Sequence, residues 1–120
     1  MDIDEIRSSI DSLDEELLNA FIERMRLSEQ VAQFKVDNKL SLTNKKREQE
    51  VLEKAQAQAQ AQAPAQAREY ERYVQEFFCM LMELSKERQL ELYPELKLCE
   101  EMRQGSCQRL CLGDACTRKS

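Results

Sequence analysis

The chain has 120 residues, of which 42% are hydrophobic, 34% charged and only 6% aromatic, and its formal net charge is −5. Two glycines, two prolines and many Leu, Glu, Ala, Gln, Lys and Arg residues favour a single helical domain over a sheet protein. The negative charge argues against nucleic-acid binding. No apolar run approaches the ~20 residues of a membrane span, so no membrane partner is expected.

The lack of histidine and of an export signal limits the reactions and the cellular compartment that we expect. The sequence has no histidine, which removes the usual general base and the commonest metal ligand. Any reaction must therefore use carboxylates, amides, thiols or cations, or need no base. The acidic N-terminus opens directly into a periodic pattern instead of an export signal, so we expect a cytoplasmic protein with reduced cysteines.

A heptad pattern runs through the first third of the chain, with no glycine or proline before Pro64. It predicts one helix over residues 2–36 with a coiled-coil-like stripe, called the seam below. Such a helix is ~50 Å long, whereas a compact chain of this size has a radius of gyration of only ~14 Å. We therefore expect a homodimer that covers the helix along its length. The seam positions are Ile3, Ile6, Ile10, Leu13, Leu17, Ala20, Arg24, Leu27, Val31 and Phe34.

Two cations interrupt the apolar face. At about 100° per residue, Arg24 and Lys35 lie in the middle of that face, about 20° apart, whereas Arg26 lies on the opposite, solvated face. Burying a cation without a partner costs several kcal/mol. One interpretation is that each cation pairs with a carboxylate, such as Glu48 or Asp14, or fixes the coiled-coil register. The other is that both cations face an internal, anion-binding pocket.

The residues after the seam predict a loop, a second helix and a connector. Thr43 or Asn44 can cap a helix over residues 44–62. The Ala-Gln repeat at 55–67 has a period of two that matches no helical face, so we expect it to be an exposed connector whose start extends this helix. Pro64 marks a break or a fresh helix start.

A third helix is predicted over residues 67–91. A second face, about 90° round from its core face, carries Ser85 and Gln89 beside apolar residues. These two polar residues are either an ordinary helix boundary or part of a site. The residues expected on the core face are Tyr70, Tyr73 or Val74, Phe77, Leu81 and Leu84.

The composition changes from Tyr93 onward, where Pro94, both glycines and four of the five cysteines occur. The cysteine spacing lacks the paired C-x2-C knuckles of zinc sites, so we expect no metal site. The sequence thus predicts a helical domain over residues 1–92 and a cysteine-containing tail over 93–120. That tail is either disordered or the stump of a further domain.

Together, the cationic residues of the first helix, "KREQE" in the second and "ELSKERQ" in the third resemble the all-helical (AroQ-type) chorismate mutases. The resemblance covers residues 3–90. It is most specific in the first helix, which matches the family's pattern of Arg, I-D-x-L-D-x-x-L-L, E-R and a final Lys. It implies an all-α fold with three helices per chain, one of them very long, in an intertwined helical homodimer.

The activity that this resemblance implies is the Claisen rearrangement of chorismate to prephenate, the branch step of the shikimate pathway towards phenylalanine and tyrosine. The reaction is unimolecular and needs no proton transfer, nucleophile, metal or cofactor. An enzyme must hold the dicarboxylate in its reactive conformer and stabilise charge on the breaking ether oxygen. Two alternatives stay open: an isochorismate-pyruvate lyase of the same fold, and a non-catalytic helical dimerisation module.

The resemblance also implies roles for individual residues. Arg24 clamps a substrate carboxylate, Lys35 donates to the ether oxygen and a carboxylate, and Gln89 is the second donor to that oxygen. Arg7 belongs to the other subunit's site, because ~25 Å of helix separates it from Arg24. Asn44 departs from the Asp found in many members. The remaining substrate contacts are Asn44, Arg47, Glu48 and Ser85, and the apolar pocket walls are Val31, Val51 and Met82.

Overall fold

The computed structural model describes residues 2–96, and within this range it contains three helices and no strand. Helix α1 spans Ile3–Asp37, α2 spans Lys45–Gln62 and α3 spans Ala67–Leu92. The all-α fold with one very long helix is confirmed. Among residues 2–96, none of the helices has an apolar stretch long enough to cross a membrane.

Helix α1 begins at a reciprocal cap. The Asp2 carboxylate accepts the Glu5 N–H at 2.9 Å, and the Glu5 carboxylate accepts the Asp2 N–H at 3.1 Å, which satisfies two donors of the first turn. The helix ends at Asp37 with Asn38 as its C-cap, and Lys39 turns the chain with a left-handed φ of 55°. At ~1.5 Å per residue, α1 accounts for the 53 Å longest dimension of the molecule.

The three helices meet through α3, which packs against both α1 and α2. One buried cluster joins Leu52 of α2 to Cys79 and Met82 of α3. A polar contact supports this pair further along, where the Gln56 amide donates to the Glu71 carbonyl at 2.9 Å. The position of α2 along α3 is therefore set by both apolar and polar contacts.

A second buried cluster holds the C-terminal half of α1. It contains Ala32 of α1, Leu42 of the loop and Leu96, which follows α3. Leu96 is only 3% exposed, so the packed region reaches beyond the boundary at residue 92 that the sequence suggested. The division into a helical domain and a tail otherwise stays a prediction, and the four clustered cysteines lie outside the described residues.

The seam of α1 is not covered by the described part of its own chain. Its apolar residues from Ile3 to Phe34 are mostly between 40% and 61% exposed. The buried residues of α1 are Ser28 and Ala32, which lie beside the seam and not on it. The helix thus packs on α3 with one face and presents its apolar face outward.

Helix α3 is also open where the sequence predicted its core. Tyr70, Tyr73 and Phe77 are about half exposed, whereas Ser85 and Gln89 are buried with Met82 and Cys79. Val74, Leu81 and Leu84, the other residues of the predicted core face, are half-buried. Within residues 2–96 the prediction therefore fails at Tyr70, Tyr73 and Phe77, because α1 and α2 pack against the side that carries Ser85 and Gln89.

The Ala-Gln repeat continues α2 as far as Gln62. Ala55 and Ala67, at the two ends of the repeat, are buried, and most residues between them are exposed. The expectation of an exposed connector thus describes the middle of the repeat and not its ends.

Candidate active site

A cavity of about 140 Å³ lies where the C-terminal half of α1, the start of α2 and the second half of α3 meet. Every predicted site residue except Arg7 lines it. Its lining consists of Arg24, Ser28, Val31, Lys35, Leu42, Asn44, Arg47, Glu48, Val51, Met82, Ser85, Lys86 and Gln89.

Arg24 reaches the cavity from α1 and is held by a hydroxyl group. Its Nη1 donates to Ser85 Oγ at 3.0 Å, and the same oxygen accepts the Ser28 hydroxyl at 2.9 Å. No carboxylate within residues 2–96 forms an ion pair with Arg24. Within these residues, Arg24 therefore pairs with neither Glu48 nor Asp14 of its own chain.

The electrostatic surroundings of Arg24 disfavour its charge. Burial lowers the pKa of its guanidinium below the usual value, and the positive charge of Arg47 lowers it further. A cation in such a position gains stability from an approaching anion, which offsets both effects. The position of Arg24 therefore favours the binding of a negatively charged group.

Lys35 and Gln89 form the opposite side of the cavity. The Lys35 ammonium donates to the Leu42 carbonyl at 2.5 Å and to Gln89 Oε1 at 3.0 Å. Lys35 lies in the last turn of α1, where the helix dipole favours a cation. With Oε1 of Gln89 accepting from Lys35, the amide N–H groups are the part of Gln89 that can donate to a ligand.

Arg47 and Glu48 are neighbours in sequence but lie in different environments. The Glu48 carboxylate accepts from the Lys86 ammonium at 2.9 Å, and their side chains are only 8% and 11% exposed. The Arg47 side chain is 65% exposed and lies 3.7 Å from the carboxylate of Glu50. Both residues nevertheless line the cavity, Glu48 as a fixed acceptor and Arg47 as a solvated cation.

Asn44 caps α2 at the edge of the cavity. Its Oδ1 accepts the Arg47 N–H at 3.0 Å, so Asn44 and not Thr43 supplies the cap that the sequence predicted. The N-terminus of α2 therefore lies beside the cavity, and the free N–H groups of a first helical turn favour anions.

The charge of the cavity differs from that of the whole protein. Four cationic side chains and one carboxylate line it, although the chain has a net charge of −5. Val31, Val51 and Met82 supply apolar walls, so the arrangement suits a compact dianion with an apolar body. Among residues 2–96, no three His, Cys, Asp or Glu side chains are grouped as a metal site.

Arg7 is the predicted site residue that the chain does not bring to the cavity. It lies in the exposed N-terminal half of α1, ~25 Å along the helix from Arg24. A single chain therefore cannot place both arginines on one small ligand. The contribution of Arg7 to another subunit's site stays a prediction.

Three residues of the cavity were missed from the sequence. Ser28 lies one turn beyond Arg24, and Lys86 lies one turn beyond Met82, so helical spacing alone could have placed both on the lining faces. Leu42 contributes a loop carbonyl to Lys35. No side-chain pattern signals a backbone contact of that kind.

Comparison with known proteins agrees with this geometry. A family model described as chorismate mutase type II matches residues 6–90, a range that contains Arg7 and every residue lining the cavity. No curated protein and no solved structure gives a match to the chain. On the strength of the family match, which covers most of its length and all three helices, the chain belongs to the chorismate mutase type II family.

Proposed function

We propose that the protein is a chorismate mutase, an isomerase that converts chorismate to prephenate by an intramolecular Claisen rearrangement. One observation carries the proposal: Arg24, Lys35 and Gln89, from two different helices, line one cationic cavity. The family match supports the same activity. A cytoplasmic location and a place in phenylalanine and tyrosine biosynthesis stay predictions.

Arg24 binds a substrate carboxylate in this proposal. The Ser85 hydroxyl already fixes its Nη1 at 3.0 Å, and the planar guanidinium can offer a bidentate pair to a carboxylate. Binding removes an electrostatic penalty, because the substrate's negative charge offsets the charge of Arg47. The free energy gained when Arg24 binds an anion is therefore larger than at an exposed arginine that already has an ion-pair partner.

Lys35 and Gln89 act on the ether oxygen. As the C–O bond breaks and the new C–C bond forms, negative charge develops on that oxygen, and two donors already in place stabilise it without reorganising. The hydrogen bond of 3.0 Å between Lys35 and Gln89 holds the two side chains next to each other. The reaction needs no proton transfer, so neither residue has to change its protonation state.

Glu48 accepts the substrate hydroxyl, and Arg47 and Asn44 lie beside it at the start of α2. Ser85 of α3 accepts from Arg24 and so holds the carboxylate clamp in place. Val31, Val51 and Met82 pack against the ring of the substrate. Contacts on several sides restrict a flexible substrate to its reactive conformer, which is a main source of rate acceleration for a unimolecular reaction.

The complete site requires a second subunit. Val31 is both a seam residue and a wall of the cavity, and it is 46% exposed. A partner helix that covers the seam would therefore also close the cavity. An antiparallel partner can bring its own Arg7 next to Arg24, which supports an intertwined homodimer with shared sites.

The direct test is incubation of the protein with chorismate, followed by chromatography of the products. We expect chorismate to disappear and prephenate to form, with no added metal or cofactor. The lyase alternative predicts instead no turnover of chorismate and release of pyruvate from isochorismate. A non-catalytic dimerisation module predicts a stable dimer that converts neither compound.

A further inference from the structure

Lys86 lines the cavity, but the family resemblance gives it no role. Its side chain is 11% exposed, which is unusual for lysine because long charged side chains are rarely buried without a partner. Lys86 lies in α3, one turn before Gln89 on the face that forms the cavity wall. Its burial there requires an explanation in terms of the groups that surround it.

Two carboxylates share the Lys86 ammonium, and they are not equivalent. Glu48 of α2 lies at 2.9 Å, within hydrogen-bond distance, whereas Glu83 of α3 lies at 3.9 Å. Their side chains are 8% and 12% exposed. The shorter contact joins two helices and ends on the carboxylate that lines the cavity, so Lys86 acts mainly on Glu48.

We propose that Lys86 is a positioning residue that sets the direction of the Glu48 carboxylate for the substrate and offsets its charge. Its hydrogen bond to Oε2 fixes the rotation of the carboxylate with respect to the cavity. Its positive charge offsets the charge of Glu48, so this wall does not repel a dianion. The inference rests on the proposed function, in which Glu48 accepts the substrate hydroxyl.

A double-mutant cycle tests the role. We expect Lys86→Met to lower kcat/KM by about 10- to 100-fold, the size of effect seen when a substrate contact is displaced. In the Glu48→Gln background, where the charged partner is gone, the same substitution should change kcat/KM by less than about threefold, because residues that act as a unit are not additive. Lys86→Arg keeps the charge and the donors and should recover part of the loss.

The double variant also guards against a folding artefact. Lys86→Met alone leaves a buried carboxylate without its main charged partner, whereas Glu48→Gln with Lys86→Met removes both charges together. Helical content by circular dichroism should match the wild type in the double variant. Lys54→Met, an exposed lysine of α2 away from the cavity, is the matched control and should keep wild-type kcat/KM.

The outcomes separate this role from the proposed function. A wild type that converts chorismate, with a Lys86→Met variant of equal activity, overturns the role alone. Equal losses in the wild-type and Glu48→Gln backgrounds also overturn it, as does a Lys86→Arg variant no more active than Lys86→Met. A wild type that does not convert chorismate overturns the proposed function first and this role with it.

Discussion

The two halves of α1 share one heptad pattern but lie in different surroundings. Residues 3–20 are exposed on every side, whereas the half from residue 21 onward contacts α3 and lines the cavity. Periodic apolar residues therefore identify a surface that must be covered, but they do not say which chain covers it. Within the described chain, only the half that contains the cationic seam residue is partly covered.

The same contrast occurs on a smaller scale between Arg24 and Arg26. Arg26 pairs with Glu23 at 2.9 Å, and both side chains are 66% exposed, an arrangement that contributes little to stability. Arg24 points into the cavity and donates to Ser85. Two arginines only two positions apart thus lie in different environments, one on the solvated surface and one in the candidate binding site.

The largest effect is expected at Arg24. Arg24→Ala should lower kcat/KM by about 10³-fold, or ~4 kcal/mol, because it removes a charged contact made within a partly desolvated site. Circular dichroism should show nearly unchanged helicity, since Ala is a good helix former. Arg26→Ala is the matched control and should retain wild-type activity. Collapse of the fold in Arg24→Ala would instead favour a role in coiled-coil register.

The next prediction concerns the uncovered half of the helix. Arg7→Ala should lower kcat/KM by about 10²- to 10³-fold without changing helicity, because Arg7 is exposed in the single chain. If Arg7 serves the partner's site, Arg7→Ala and Arg24→Ala chains refolded together should complement each other. Heterodimers then contain one intact site, and random pairing gives about a quarter of wild-type activity.

Complementation has a clear contrary outcome. If Arg7 acted within its own chain or not at all, mixed chains would show only the average of the two parent activities. The two variants refolded separately and mixed afterwards serve as the control. That mixture should gain activity only as fast as subunits exchange.

Gln89 gives a smaller effect that depends on pH. Gln89→Glu should lower kcat at pH 7 by about 10²-fold, because an ionised carboxylate cannot donate to the ether oxygen. An unperturbed Glu titrates near pH 4.3, and Lys35 at 3.0 Å favours its ionised form. Activity should therefore rise as pH falls through the acidic range, and a wild-type pH profile would show that Gln89 is not the donor.

The sequence predicted the bounds of the helices better than it predicted how the helices pack against one another. Helix bounds agreed within one residue, because Asp2, Asn44 and Pro64 mark ends locally. The predicted core face of α3 was wrong in its first half for a physical reason: Tyr70 and Phe77 are apolar but about half exposed, because the described chain packs the side that carries Gln89. The apolar residues of a sequence show which surfaces must be buried, but they do not show which helix packs against each surface.

The candidate site was predictable where a charge interrupted an apolar face. Arg24 and Lys35 are conspicuous because both interrupt the apolar face of α1, and both line the cavity. Lys86 was missed because its neighbours in sequence are also charged, so it does not stand out in the pattern. The carbonyl of Leu42 was not predictable, since every residue carries one and only the fold decides which is used.

The smallest effect is expected at Asn44, where the sequence departs from the family's usual Asp. Asn44→Ala should lower the free energy of unfolding by about 1 kcal/mol, because the Arg47 N–H loses its capping acceptor. Asn44→Asp keeps an acceptor at the same position and should restore or exceed wild-type stability in urea unfolding, since a carboxylate also suits the helix N-terminus. The Asn44 side chain already accepts the Arg47 N–H. Asn44→Asp should therefore change kcat/KM by less than about threefold, because a partly exposed charge that does not contact the substrate has a weak effect on it. A tenfold gain in kcat/KM would show that this side chain, and not the backbone it caps, contacts the substrate.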